Sequence, residues 1–235
     1  MKKKILIIIY THGDEKIGES IVKKLQKKKL GEFFDCLVAN PVAARKGVRF
    51  IEADLNRSYP GVKKSKIYEK RLAFKNLQIA KRYEFVIDIH EASSGINDFI
   101  IIPRKNGLNT FPLNLVDLDI VLFWPDPKGP MGEILENSIE LEFGTKLKNR
   151  NKIILKGQKI MENFIERAYF GNIKNNFLKK KRYYVYGKLV LKDFLNYKQT
   201  LIDFKKTSLN GEKFYPLLVG QYLNDGIVCY KMKLL

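Results

Sequence analysis

Six consecutive apolar residues, Ile5-Leu6-Ile7-Ile8-Ile9-Tyr10, run without a polar break into Thr11-His12-Gly13-Asp14-Glu15. Nothing else in the chain restricts its fold as much. A β-branched run that is apolar at every position, not at alternate ones, is a strand covered on both faces. Lys2–Lys4 before it give the segment the look of a secretory signal. The apolar stretch is short beside the usual h-region of about 7–15 residues, however, and no small-residue cleavage site follows. It reads as the first strand of a folded domain.

Further strands are expected at Phe33–Val38, Phe85–His90, Asp98–Pro103, Ile120–Trp124 and Ser138–Phe143. Pro125 and the Pro127/Pro130 loop close the Ile120 strand. Between them lie amphipathic stretches. Glu15–Lys28 carries Ile17, Ile21, Val22 and Leu25 at helical spacing, with lysines outside. Ile67–Lys81 and Ile153–Arg167 read as two more helices. Alternation of this kind gives an α/β layered domain with a largely parallel sheet. In such sheets the functional site lies beyond the carboxyl ends of the strands. Beyond about residue 170 the style changes to short strands at Tyr183–Leu191, Thr200–Phe204, Tyr215–Tyr222 and Ile227–Leu234, with turns at Asn210-Gly211 and Asn224-Asp225-Gly226. The expected division is 1–170 for the α/β domain and 171–235 for a small β-rich C-terminal domain.

Composition sets outer bounds. The 235 residues suit one sizeable domain with or without a small second one. No apolar run approaches the roughly 20 residues that cross a bilayer, so no membrane partner is expected. Two cysteines, Cys36 and Cys229, are too few for a disulfide scaffold and fit a reducing cytoplasm. The net charge of +19 is large and would attract polyanions. The lysines are spread from Lys2 to Lys233, though, and no common nucleic-acid-binding motif is present. Nucleic acid is therefore not the expected partner, and homo-oligomerisation is left open.

The chain has two histidines, His12 and His90, and each ends an apolar strand. Glu15 lies three residues after His12, beyond a glycine turn that opens a helix. His-x-x-Glu plus a histidine from a distant strand, with water as fourth ligand, is the donor set of a catalytic zinc site. His12, Glu15 and His90 are the candidate ligands of one Zn2+ per chain. Asp88 shares a strand face with His90 and could orient its ring, or simply be a hydrogen-bonded strand-end aspartate. Arg49 and Arg57 offer planar forks for carboxylates and oxyanions, and Asn56 offers an amide. Glu140 and Glu142 project to one side of a strand, where a carboxylate could act as general base. Physical reasoning does not choose between them.

Thr11-His12-Gly13-Asp14-Glu15, Asn40-Pro41 leading to Arg49, Asp54-Leu55-Asn56-Arg57, Asp88-Ile89-His90 and Leu141-Glu142-Phe143-Gly144 together resemble the succinylglutamate desuccinylase/aspartoacylase family, relatives of the zinc carboxypeptidases. The resemblance covers roughly the first two thirds of the chain; Phe214–Gly220 resembles the family's C-terminal β segment less distinctively. It implies a three-layer α/β/α zinc-carboxypeptidase-like domain with a mixed, largely parallel sheet and a small β-rich C-terminal domain. It implies that His12, Glu15 and His90 bind zinc, Arg49 stabilises the oxyanion, Asn56 and Arg57 grip a substrate carboxylate, and Glu142 is the general base. The reaction implied is hydrolysis of the amide of a small acidic N-acyl substrate. A carboxypeptidase-like enzyme on peptides or cell-wall fragments is the alternative, and a basic polyanion-binding protein on the same fold a third. The chain departs from the family at Glu91, where aspartoacylase-like members tend to carry asparagine, and at Gln221, near where many carry an acidic residue. Tyr222 and Tyr230 both compete for the position of a substrate-facing tyrosine.

Overall fold

The computed structural model describes residues 3–93, 95, 97–103, 110–125, 129–146, 149–171, 180–194 and 200–235. The strands are β1 (Ile5–Ile9), β2 (Phe34–Val38), β3 (Phe85–Ala92), β4 (Phe99–Ile102), β5 (Ile120–Phe123), β6 (Ser138–Gly144), β7 (Lys181–Val190), β8 (Thr207–Leu209), β9 (Glu212–Leu217) and β10 (Ile227–Leu234). The helices are α1 (Ile17–Lys27), α2 (Pro41–Lys46), α3 (Tyr68–Ala80), α4 (Arg150–Phe170) and the single turn α5 (Leu191–Phe194).

The strands join in the order β2-β1-β3-β6-β4-β5-β7-β10-β9-β8. β2, β1, β3 and β6 run parallel. β4 pairs antiparallel to β6, and β5 and β7 follow it parallel. Strand direction therefore reverses between β6 and β4, and a cleft opens where neighbouring connections leave in opposite directions.

Period-two alternation decides what each face meets. Ile5, Ile7 and Ile9 pack with Ile17, Ile21 and Leu25 of α1 and Ile160 and Phe164 of α4. Leu6 and Ile8 pack with Leu55 and with Ala73, Leu77 and Ala80 of α3. These are the three expected layers, and they explain why β1 is apolar throughout. At the two central strands the α3 side turns polar: the register sets Asp88 beside Glu140 and His90 beside Glu142.

The expected C-terminal segment is β-rich, with β7 to β10. These strands continue the main sheet: β7 pairs with β5 over Ile120–Phe123 and Lys181–Tyr184. Tyr183, Val185, Leu217 and Met232 share one core cluster with Phe99, Ile101 and Leu122. A second small cluster of Leu189, Leu209, Phe214, Val228 and Cys229 lies further out. Pairing removes the open edge that β5 would otherwise present, so no break in the sheet falls at the expected boundary near residue 170.

Two local expectations are corrected. Thr200–Phe204 is not a strand; Phe204 turns at φ 61° and its ring packs against Phe99 and Tyr183 at 5.7 and 5.4 Å. The strand expected over Tyr215–Tyr222 ends at Leu217, because Leu218 adopts φ 54° and the chain leaves the sheet there. α2 is helical because Asn40 accepts from the Ala43 N–H at 3.3 Å and Pro41 occupies the first turn. Pro127 and Lys179 fall outside the described residues. Among the described residues no helix is long and apolar enough to cross a membrane.

Candidate metal centre and its cleft

β1 delivers the first histidine through a constrained turn. Tyr10 sits at φ 58°, a backbone region that bulky residues rarely occupy, and its hydroxyl donates to Glu19 at 2.9 Å. The Asn40 N–H donates to the Tyr10 carbonyl, holding the turn against the start of α2. Gly13 is required there: a Cβ would lie 2.2 Å from the Ala43 carbonyl carbon. Glu15 follows just before α1, and the Glu91 N–H donates to it at 3.1 Å.

His12, Glu15 and His90 converge, with one ligand atom from each within 4.8 Å of the others. His12 Nδ1 is 2.7 Å from Glu15 Oε1, and His90 Nδ1 is 3.0 Å from Glu15 Oε2. The opposite nitrogens face two other carboxylates. His12 Nε2 is 3.2 Å from Asp54 Oδ1, and His90 Nε2 is 3.2 Å from Asp88 Oδ2, the latter poorly aligned for a hydrogen bond. A carboxylate beside Nε2 favours the proton on that nitrogen and leaves the Nδ1 lone pair for a cation.

The electrostatics agree with that donor set. Burial pulls His12 down, but Glu15 and Asp54 outweigh it and bring it to about 8. His90 is likewise pulled down by burial and raised well above its ordinary value by Asp88 and Glu15. Burial favours the neutral form of Glu15, yet the two imidazoles hold its carboxyl far below the usual range. The three groups thus stabilise positive charge at their common centre, and the His/Glu/His cluster fits a single zinc site.

Asp54, not singled out from sequence, is the hub of the adjoining loop. Its Oδ2 accepts from Arg49 Nε and Nη2 at 3.3 and 3.0 Å, and its Oδ1 accepts from the Asn56 N–H at 2.8 Å. It opens the short turn Leu55–Arg57 as N-cap; in the sequence it stood within the family motif Asp54–Arg57 without a role of its own. Thr11 was also missed; its hydroxyl donates to Asp88 Oδ2 at 2.8 Å.

One cleft is lined by every residue expected at the site: His12, Glu15, His90, Arg49, Asn56, Arg57 and Glu142, with Glu140 beside them. Arg49 Nη1 lies 3.8 Å from Glu15 Oε1. Glu140 accepts from Asn56 Nδ2 at 3.2 Å, which ties both groups to each other. Burial pushes Glu142 up to about 8, with His90 opposing and Glu15 and Glu140 adding. The departure at Glu91 has a partner: Arg150 reaches it through Nη1 and Nη2 at 2.5 and 2.9 Å. Of the two tyrosines, Tyr222 lines the cleft, and Tyr230 lies behind it with ring centroids 5.8 Å apart.

A sequence profile of the succinylglutamate desuccinylase/aspartoacylase catalytic domain matches residues 2–168. A probable aspartoacylase of Prochlorococcus marinus (strain MIT 9215) is 31% identical over 116 residues, 43% of this chain and 38% of that protein. An N-acyl-aromatic-L-amino acid amidohydrolase (carboxylate-forming) of Xenopus laevis is 29% identical over 133 residues, 48% and 41% of the two chains. The matches thus span about two fifths of these curated relatives. The fold agrees over a longer stretch. A succinylglutamate desuccinylase from Chromobacterium violaceum superposes with TM-score 0.75 at 16% identity, covering 99% of this chain and 85% of that one. Murine aminoacylase 3 gives 0.71 at 17% identity, with 99% and 95% covered. The chain belongs to the succinylglutamate desuccinylase/aspartoacylase family.

Proposed function

We propose that this protein is a zinc-dependent hydrolase that deacylates a small N-acyl amino acid. The observation that carries the reading is the confinement of the His12/Glu15/His90 cluster, two arginines and a half-buried glutamate of raised proton affinity to one cleft. The name of the Xenopus relative describes hydrolysis of an N-acyl amino acid amide, and that reaction class is taken over here.

His12, Glu15 and His90 hold the metal, which when bound supplies Lewis acidity at the scissile carbonyl. Glu142 takes the proton of the attacking water and passes it to the leaving amine nitrogen, a task suited to a carboxyl whose proton affinity is raised by burial. Arg49, braced by Asp54, presents its remaining N–H groups to the oxygen on which charge develops. Arg57 and Asn56 take the substrate carboxylate. Asn56 spends one amide N–H on Glu140 and contributes its second. The products are a carboxylic acid and a free amino acid.

The first test is elemental analysis of purified protein and of His90→Ala side by side. Close to one zinc per chain in the parent, lost in the variant, is the expected result. Glu142→Gln retains the zinc and loses about 10²–10⁴-fold in turnover of N-acyl amino acids. A parent that takes up no zinc even on reconstitution would reduce the family likeness to one of fold.

A further inference from the structure

The cleft has two unlike walls. One carries the charged groups described above. The other is mainly apolar: Ile101 of β4, Pro103, Trp124, Pro130 and Leu218, with Gln221 and Tyr222 beside them and the Tyr222 hydroxyl towards Arg49 and Glu142. It is assembled from the ends of β4 and β5 together with the C-terminal segment. Trp124 directly follows β5, and its N–H donates to the Ile102 carbonyl at 3.0 Å. Its ring meets Tyr230 edge-on at 4.5 Å, and Tyr230 in turn meets Tyr222 edge-on at 5.8 Å. Tyr230 does not line the cleft; it stands behind and fixes the two rings that do. Edge-to-face pairing of this kind holds aromatic planes in place.

The charges point the same way. Among the described lining residues the cations are Arg49 and Arg57, against the carboxylates of Glu15, Glu91, Glu140 and Glu142. Arg49 already commits Nε and Nη2 to Asp54. Among the described lining residues the charged donors are these two arginines, with the Gln221 amide and the Tyr222 hydroxyl as neutral groups beside them. A second carboxylate set against Trp124, Ile101 and Leu218 would give up hydration to apolar side chains.

We propose that the apolar wall is a specificity subsite centred on Trp124 and Tyr222. It takes an apolar group of aromatic size, so the substrate is a monocarboxylate N-acyl amino acid and not a dicarboxylate. The proposal rests on the hydrolase reading above, deepens it by naming the substrate class, and is testable separately from it. Trp124 is the only tryptophan in the chain, so intrinsic fluorescence reports the wall directly.

Zinc-reconstituted Glu142→Gln protein is titrated with N-acetyl-L-phenylalanine, N-acetyl-L-aspartate and N-succinyl-L-glutamate, and the parent is assayed on the same three and on N-acetylglycine. The expected result is a saturable change in Trp124 emission with the phenylalanine compound and a kcat/KM on it at least tenfold above either dicarboxylate. Trp124→Ala lowers kcat/KM on the phenylalanine compound about tenfold, mainly through KM, and so narrows the preference for it over N-acetylglycine. Trp124→Phe restores most of the loss, which separates the subsite from a general loss of folding. An emission change with N-acetyl-L-phenylalanine but no turnover of any amide would remove the hydrolase reading and leave the subsite standing. Preferential turnover of the dicarboxylates with no emission change from the phenylalanine compound would overturn the subsite alone. Neither binding nor turnover of any compound would overturn both.

Discussion

Glu69, on the inward face of α3, is fully enclosed, and its two oxygens accept from Ile51 N–H at 2.7 Å, Glu52 and Ala53 N–H at 3.1 Å, and Asn40 Nδ2 at 3.2 Å. Four donors around one carboxylate pin the loop that bears Arg49, Asp54, Asn56 and Arg57. Glu69→Ala strands those donors, and we expect it to cost about 3 kcal/mol by denaturant unfolding. We also expect KM to rise more than kcat falls, since the loop carries Asn56 and Arg57, the side chains proposed to take the substrate carboxylate. At this scale the sequence was legible where chemistry and position coincide: His12, Glu15 and His90 stood out because polar groups directly follow apolar runs. Asp54 and Glu69 were not legible. Each acts on groups brought in by tertiary packing, and nothing local separates Glu69 from the other exposed-looking residues of a lysine-rich helix.

Asp117 does comparable work between elements. It lies before β5 and accepts from Arg167 Nη1 and Asn163 Nδ2 of α4 at 2.5 and 2.6 Å. Burial pushes its carboxyl up, but Arg167 and Asn163 outweigh that and hold it below its ordinary value. A carboxyl depressed by folding contributes stability above its unfolded pKa of about 3.9. That contribution is lost as pH falls through the lower folded value. Asp117→Asn is therefore expected to destabilise at pH 7 by about 1 kcal/mol, with the difference from the parent closing below about pH 4 in paired thermal melts. The amphipathic spacing of α1, α3 and α4 was readable because burial of a helical stripe is a property of the segment itself. α2 was missed because its Asn40 cap and Pro41 lie in a polar stretch whose length gave no periodicity to read.

Over the whole molecule, the decisive feature is the continuity of the sheet through β5 and β7. The core shared by Phe99, Leu122, Tyr183 and Met232 couples the C-terminal strands to the layers that carry the metal centre. One cooperative thermal transition is expected, with calorimetric and van't Hoff enthalpies in agreement. A chain ended at residue 171 would uncover Phe99, Ile101 and Leu122, bind hydrophobic dye and lose the single transition; two resolved transitions in the parent would contradict this coupling. The sequence by itself determined the buried strands, the amphipathic helices and the convergence of two histidines and a glutamate at strand ends, because period and polarity are written locally. Tertiary structure alone decided that β7 to β10 extend the main sheet, that Asp54 backs the His12 imidazole, and that Trp124 and Tyr222 line the same cleft as the metal cluster. Those are pairings between residues up to about a hundred positions apart, and their energies arise only when folding brings the partners into contact.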